Sequence, residues 1–207
     1  PTRRSSDLIS RQYCQHRFSD DLDLFVNQDS DYPDYINHFF QLLTSNREDN
    51  PYGIDLQRII RTESYAQFYV FEKNRPDILL KLDFVNDYAP HFGDFHYDQV
   101  LGKTDSWRNI LSNKITALYR YEPKDVVDIW ALCNKFRFNW PEILTEAAQK
   151  ESPIDPIIVS EILASFPENA LDSLKWIISL SKDQVISDLK SIIDSILKGL
   201  DNDPGLF

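Results

Sequence analysis

Ser19-Asp20-Asp21-Leu22-Asp23-Leu24-Phe25-Val26 is the stretch on which the fold turns. Leu22, Leu24 and Val26 alternate with Asp21, Asp23 and Phe25. That period of two belongs to a pleated strand with one apolar face and one face carrying two carboxylates. Like charges at i and i+2 project the same way and repel unless a cation lies between them. Magnesium takes a few carboxylates and completes its shell with water and phosphate oxygens, so the pair suits phosphoryl or nucleotidyl transfer. The plain alternative is a solvated outer face, and the neighbouring segments must decide between the two.

Upstream, Ile9 to His16 reads as a short helix. Downstream, Pro33 opens a predicted helix with Ile36, Phe39, Phe40 and Leu43 on one stripe, ending near Asn46. Tyr65–Phe71 and Ile78–Val85 read as strands joined by a turn at Lys73-Asn74-Arg75-Pro76, forming a hairpin. The second of these carries Asp83 within Leu79-Leu80-Lys81-Leu82-Asp83-Phe84-Val85, where a carboxylate among apolar residues is costly unless paired or bound to metal. If this strand lies beside the first, Asp21, Asp23 and Asp83 converge as two-metal chemistry requires. Otherwise Asp83 only pairs with Lys81 or a neighbour.

Residues 86 to 103, with Pro90, Gly93 and Gly102, read as irregular. Thr104, Asp105 or Ser106 is placed to cap a helix from Trp107 to Tyr121, and Pro123 opens another that runs through Lys135. Segments 141–150, 155–165, 171–179 and 182–200 are helical by pattern, and no strand is predicted after Trp107. The expected class is α+β, a mixed sheet with flanking helices followed by an all-helical C-terminal half, divided at residues 9–104 and 105–207. On the first of these helices Lys114 edges an apolar stripe, where it can reach a polyphosphate or snorkel to solvent. Arg120 complements the helix dipole or binds an anion. Lys124 is spaced to pair with Asp128 at i+4, and Asp125 and Asp128 share a face beside the stripe of Val126, Ile129, Trp130 and Cys133.

With 207 residues, 42% of them hydrophobic and 13% aromatic, the chain can bury a core in one domain or two small ones. A net charge of −11 argues against a broad basic surface for nonspecific nucleic-acid binding, though not against a local basic patch. No apolar run approaches the roughly 18 residues of a membrane span, and cytoplasmic residence is the expectation. Cys14 and Cys133 follow no metal spacing and read as reduced thiols. Pro1 to Leu8 resemble the translation of a short-read sequencing adapter, and the chain contains no methionine. The expectation is a reading frame cut at a contig end, with residues 1–8 left out of fold reasoning.

Two motifs resemble those of the AbiEii/AbiGii-type nucleotidyltransferase toxins of bacterial abortive-infection and toxin-antitoxin systems, within the polymerase-beta-like superfamily. The first is His16-Arg17-Phe18-Ser19-Asp20-Asp21-Leu22-Asp23-Leu24-Phe25. The second joins Asn113-Lys114-Ile115-Thr116-Ala117-Leu118-Tyr119-Arg120 to Lys124-Asp125-Val126-Val127-Asp128. The resemblance covers roughly residues 9 to 135. It implies a nucleotidyltransferase-like fold in which Asp21, Asp23 and Asp83 bind magnesium, Lys114 contacts nucleotide phosphates and Asp128 is an acid supporting the site. Arg17, Ser19, Arg120, Lys124 and Asp125 fall at further motif positions on the nucleotide side. It also implies a nucleoside triphosphate substrate such as GTP, an RNA acceptor with tRNA the first candidate, and a cognate antitoxin. A small-molecule acceptor, or a noncatalytic module retaining the fold, are the alternatives. The family has Gly-Gly or Gly-Ser ahead of its Asp-x-Asp, where backbone amides approach phosphate. Ser5-Ser6-Asp7 stands about there in this chain, which predicts weak nucleotide binding as written.

Overall fold

The computed structural model describes residues 2–3, 8–19, 21–45, 50–100, 102–151 and 153–204. The strands are β1 (Thr2–Arg3), β2 (Asp21–Asn27), β3 (Tyr52–Ile54), β4 (Ile60–Arg61), β5 (Tyr65–Glu72), β6 (Arg75–Asp87), β7 (His96–Asp98), β8 (Gly102–Thr104), β9 (Phe138–Asn139) and β10 (Asp201–Asn202). The α-helices are α1 (Tyr32–Thr44), α2 (Trp107–Ala117), α3 (Pro123–Cys133), α4 (Trp140–Lys150), α5 (Pro156–Ala164) and α6 (Lys182–Lys198). Mixed sheet and helices together bear out the α+β class.

The large sheet runs β3-β5-β6-β2-β1-β8-β7, with β4 also on β5. The predicted hairpin of β5 and β6 is antiparallel, and β2 lies parallel to β6 with Asp21 opposite Lys81 and Asp23 opposite Asp83. Because side chains alternate, this register puts Asp21, Asp23, Lys81 and Asp83 on one face of the sheet. The even residues point the other way, where Leu22, Leu24, Val26, Phe68, Leu82 and Phe84 pack with Tyr32, Ile36 and Phe39 of α1. The stripe on α1 thus covers the apolar face and leaves the acidic face uncovered on that side.

A second core gathers the helices, from Ile110 and Leu111 of α2 through Val127 and Ile129 of α3 to Ile192 and Ile196 of α6. Leu8 and Ile9, fully buried, belong to this helical core, and a π-helical turn at Ile9–Tyr13 stands where a short helix was expected. Ser106 is the cap of α2, its hydroxyl accepting from the Asn109 amide.

Four readings of the chain are corrected. The 86–103 segment is not all irregular, because β7 begins there and pairs with β8, which closes onto β1. These strands of three residues are too short to show alternation, as are β3 and β4. Strands do occur after Trp107, since β9 pairs with β10. The predicted helix at 171–179 is a 3-10 helix at Glu168–Ser173 followed by extended chain. That chain is extended because Lys175 to Ile177 bond to His16 and Phe18, bridging Arg17 to Trp176. Finally, α3 is not amphipathic with acids at its edge. Every residue from Asp125 to Cys133 is buried, the two aspartates included.

Candidate active site

On the sheet, one ammonium group joins two of the acids. Lys81 Nζ is 2.9 Å from Asp83 Oδ2 and 3.6 Å from Asp21 Oδ2, so carboxylates from two strands share a single cation. The Tyr65 hydroxyl lies 3.0 Å from Asp83 Oδ1. Burial and the adjoining Asp83 push the Tyr65 phenol well above its usual value, keeping it a donor. Burial works against the charged form of Lys81, but Asp83, Asp21 and Asp23 outweigh it and raise its pKa. From the helical side Lys124 Nζ reaches to 3.8 Å from Asp21 Oδ2. The Ser19 hydroxyl donates to the Asp21 carbonyl where the chain turns into β2.

A buried charge network occupies the helical side. Asp128, with no exposed surface, accepts from His16 Nε2 at 2.9 Å and from Arg17 Nε and Nη2 at 2.8 Å each. Lys114 Nζ lies 2.8 Å from Asp128 and 2.7 Å from Asp125. Arg120 closes the chain of charges at 3.0 Å from Asp125. Burial alone would neutralise Lys114, yet Asp128 and Asp125 hold its pKa above the ordinary lysine value. It does not snorkel. The expected Lys124–Asp128 pair is absent from the geometry described, because Asp128 is turned inward to Lys114, His16 and Arg17 while Lys124 reaches out to Asp21.

These two groups face one another. Asp23, Phe25 and Asp87 from the sheet and Asn113, Lys114, Thr116, Arg120 and Lys150 from the helices line one cleft of about 490 Å³. Of the residues singled out by sequence, Asp23, Lys114 and Arg120 line this cleft, and Asp21 and Asp83 are tied to the same sheet face through Lys81. Asp125 and Asp128 stand behind it and hold Lys114 in place, and Arg17 in turn holds Asp128. His16, Lys81, Tyr65 and Lys150 were missed as site residues. The Lys81-x-Asp83 spacing and the position of His16 within the first motif were the available signals. Ser5-Ser6-Asp7 lies outside the described residues.

The acids fit magnesium in kind: hard oxygen donors, two from one strand and one from its neighbour, with Asp21 and Asp83 drawn up to the Lys81 ammonium. Among the described residues no three Asp, Glu, His or Cys side chains are gathered closely enough to hold an ion as they stand. The Lys81 ammonium stands between Asp21 and Asp83, where a bound cation would lie. The cysteines fit no such role. Burial lifts the Cys14 thiol to about 12 and raises the Cys133 thiol well above its usual value, so both stay protonated.

The family model described as nucleotidyl transferase AbiEii toxin, type IV TA system, matches residues 8–196. The chain belongs to the AbiEii nucleotidyltransferase toxin family. It is therefore a nucleotidyltransferase of the toxin-antitoxin class, and a nucleotide substrate and an antitoxin go with that family. No curated protein matches the chain. Among solved structures, JHP933 of Helicobacter pylori is similar, with a TM-score of 0.58 and 17% identity over 96% of this chain and 84% of that one. A second H. pylori structure gives 0.58 and 16% over 96% and 87%. The nucleotidyltransferase toxin MenT4 of Mycobacterium tuberculosis gives 0.54 and 13% over 99% and 77%. At these identities the three speak for the fold. Among the described residues no helix of this AbiEii chain is long and apolar enough to cross a membrane.

Proposed function

We propose that this AbiEii-family protein is a magnesium-dependent enzyme that transfers a nucleotide from a nucleoside triphosphate to an RNA acceptor, tRNA being the first candidate. The observation that carries the reading is the single cleft with Asp23 on its sheet wall and Lys114 and Arg120 on its helical wall. Asp21, Asp23 and Asp83 would hold the magnesium, which supplies charge neutralisation at the phosphates when bound. Lys114 and Arg120 hold the phosphate tail on the opposite wall. Asp125 and Asp128 fix the Lys114 ammonium so that its position is set before substrate arrives. The acceptor oxygen attacks the α-phosphorus and pyrophosphate leaves, so the protein's contribution is orientation and charge. Lys81 and Lys124, both close to Asp21, restrain the carboxylates that would otherwise repel one another.

The test incubates the protein with each labelled ribonucleoside triphosphate, magnesium and total RNA, beside a Ser5→Gly Ser6→Gly variant that restores small residues ahead of the Asp-x-Asp. Label is expected in RNA, and more of it with the glycine variant. Label confined to small molecules would move the reading to a small-molecule acceptor. No label with either protein would favour a noncatalytic module.

A further inference from the structure

We infer that the groove beside Phe95 is the acceptor's subsite, where an unpaired base of an RNA strand stacks next to the strand's reacting end. The inference rests on the RNA-acceptor reading above and adds to it the place where the RNA lies.

The groove, of about 610 Å³, includes Asn27, Asp29, His91, Phe95 and Lys103 in its lining and runs into the cleft through Phe25, Asp87 and Ala89. Among the described residues none of its lining comes from the helical wall that carries Lys114 and Arg120. In-line displacement brings the acceptor oxygen to the side of the α-phosphorus opposite the leaving pyrophosphate. With the phosphate tail on the helical wall, the acceptor enters from the sheet side, where the groove lies. Phe95 keeps 37% of its surface exposed, and its ring carries His91 stacked at 4.0 Å and the Lys103 ammonium at 3.9 Å. The loop that presents these rings is fastened to the start of α2. Buried Asp105 lies 2.6 Å from His91 Nε2, the Ser106 hydroxyl donates to the Phe92 carbonyl, and the Phe92 amide donates to Asn109 Oδ1. Both rings are thus positioned before a ligand arrives, which spares the ordering entropy. Lys103, exposed and on a flexible stem, can swing to a phosphate and leave its place over the ring to a base, because base stacking outweighs an exposed cation–π contact. Tyr97, exposed and opposite Lys103 in the β7–β8 pairing, offers the strand a further ring. Aromatic rings interleaved with lysine are the means by which proteins hold unpaired strands. Asp29 and Asp87 turn phosphates out of the groove toward Lys103, and a carboxylate accepts from the amino edge of a base.

The experiment measures binding of a labelled single-stranded RNA oligonucleotide, the same sequence as a blunt duplex, and each ribonucleoside triphosphate with magnesium. Wild type is compared with Phe95→Ala, Phe95→Trp and Lys103→Gln, with a melting curve for each. Phe95→Ala is expected to weaken the single strand about five- to a hundredfold, the usual contribution of one stacked base, and every triphosphate less than about twofold. Phe95→Trp should keep the affinity, and wild type should bind the duplex more weakly than the single strand. Lys103→Gln is expected to flatten the slope of log affinity against log salt by about 0.7, one phosphate contact of a single strand. Duplex bound as tightly as single strand, or an unchanged salt slope in Lys103→Gln, would overturn the inference. A loss in Phe95→Ala that falls on the triphosphates would make the groove a nucleoside pocket and overturn it too. If Phe95→Ala also lowers the melting midpoint, the salt slope of Lys103→Gln decides. Failure of wild type to bind RNA in either form would remove the RNA reading of the enzyme together with the inference, whereas full RNA affinity in Phe95→Ala removes the inference alone.

Discussion

Asp128→Asn is expected to reduce the free energy of unfolding by about 3–5 kcal/mol, the usual cost of leaving buried charges without their partner. Asp128 is fully buried and accepts from His16, Arg17 and Lys114, and the amide that replaces it offers those cations half the acceptor capacity and no charge. Arg17 then has no carboxylate among its described partners, and Lys114 keeps Asp125 alone. Acid reaches the same network by another route. Burial pushes the Asp128 carboxyl upward, but Lys114, His16 and Arg17 outweigh it and hold its pKa well below the ordinary aspartate value of 3.8. A carboxyl held lower in the folded chain than in the unfolded one stabilises the fold fully above the unfolded value. That contribution is lost as pH falls below it. Urea unfolding at pH 7 should therefore show the full deficit for Asp128→Asn, and the deficit should shrink as the pH is taken below about 4. A deficit under about 1 kcal/mol at pH 7 would mean the network is not the brace described.

The paired acids on β2 should behave in the opposite way. Asp21→Ala with Asp23→Ala is expected to lower nucleotidyl transfer by at least about a thousandfold, roughly 4 kcal/mol of lost transition-state stabilisation, while leaving the unfolding midpoint unchanged or slightly raised. Both side chains are partly exposed and carry like charge, so their removal relieves repulsion. Lys81 keeps its contact with Asp83 in the double variant. On this proposal one carboxylate site serves stability and the other chemistry, and transfer rates with melting curves on both variants separate them. Transfer by the double variant within tenfold of wild type would remove the acids from the reaction.

Much of this was legible because local patterns and register agree. The alternation in Asp21–Val26 set both the strand and its acidic face, and the Ile36-Phe39-Phe40-Leu43 stripe set the helix that covers the other face. What decided the site was pairing between distant segments, which periodicity does not encode. Nothing in the sequence places β6 parallel to β2 with Asp83 beside Asp23, and the resemblance only implied a third acid there. Lys81 was legible only as a partner of Asp83, and its reach to Asp21 needed the strand pairing that sets Asp21 opposite it. Lys124 and Asp128 fit an i, i+4 pair by spacing, and tertiary charges overrode it, because a buried carboxylate needs buried cations and α3 turns Asp128 to His16 and Arg17. The C-terminal helices showed their periodicity, but Leu171–Ser179 did not hold as a helix once its backbone was taken up by His16 and Phe18.

Crystals grown with manganese and a non-hydrolysable nucleoside triphosphate put the central claim to its most direct test, since the metal's anomalous scattering marks its position unambiguously. The expected peak lies in coordination distance of Asp21 and Asp23 oxygens, with the Lys81 ammonium displaced from between Asp21 and Asp83 and the phosphate tail against Lys114. A peak held by other residues, or triphosphate bound with no metal at β2, would contradict it.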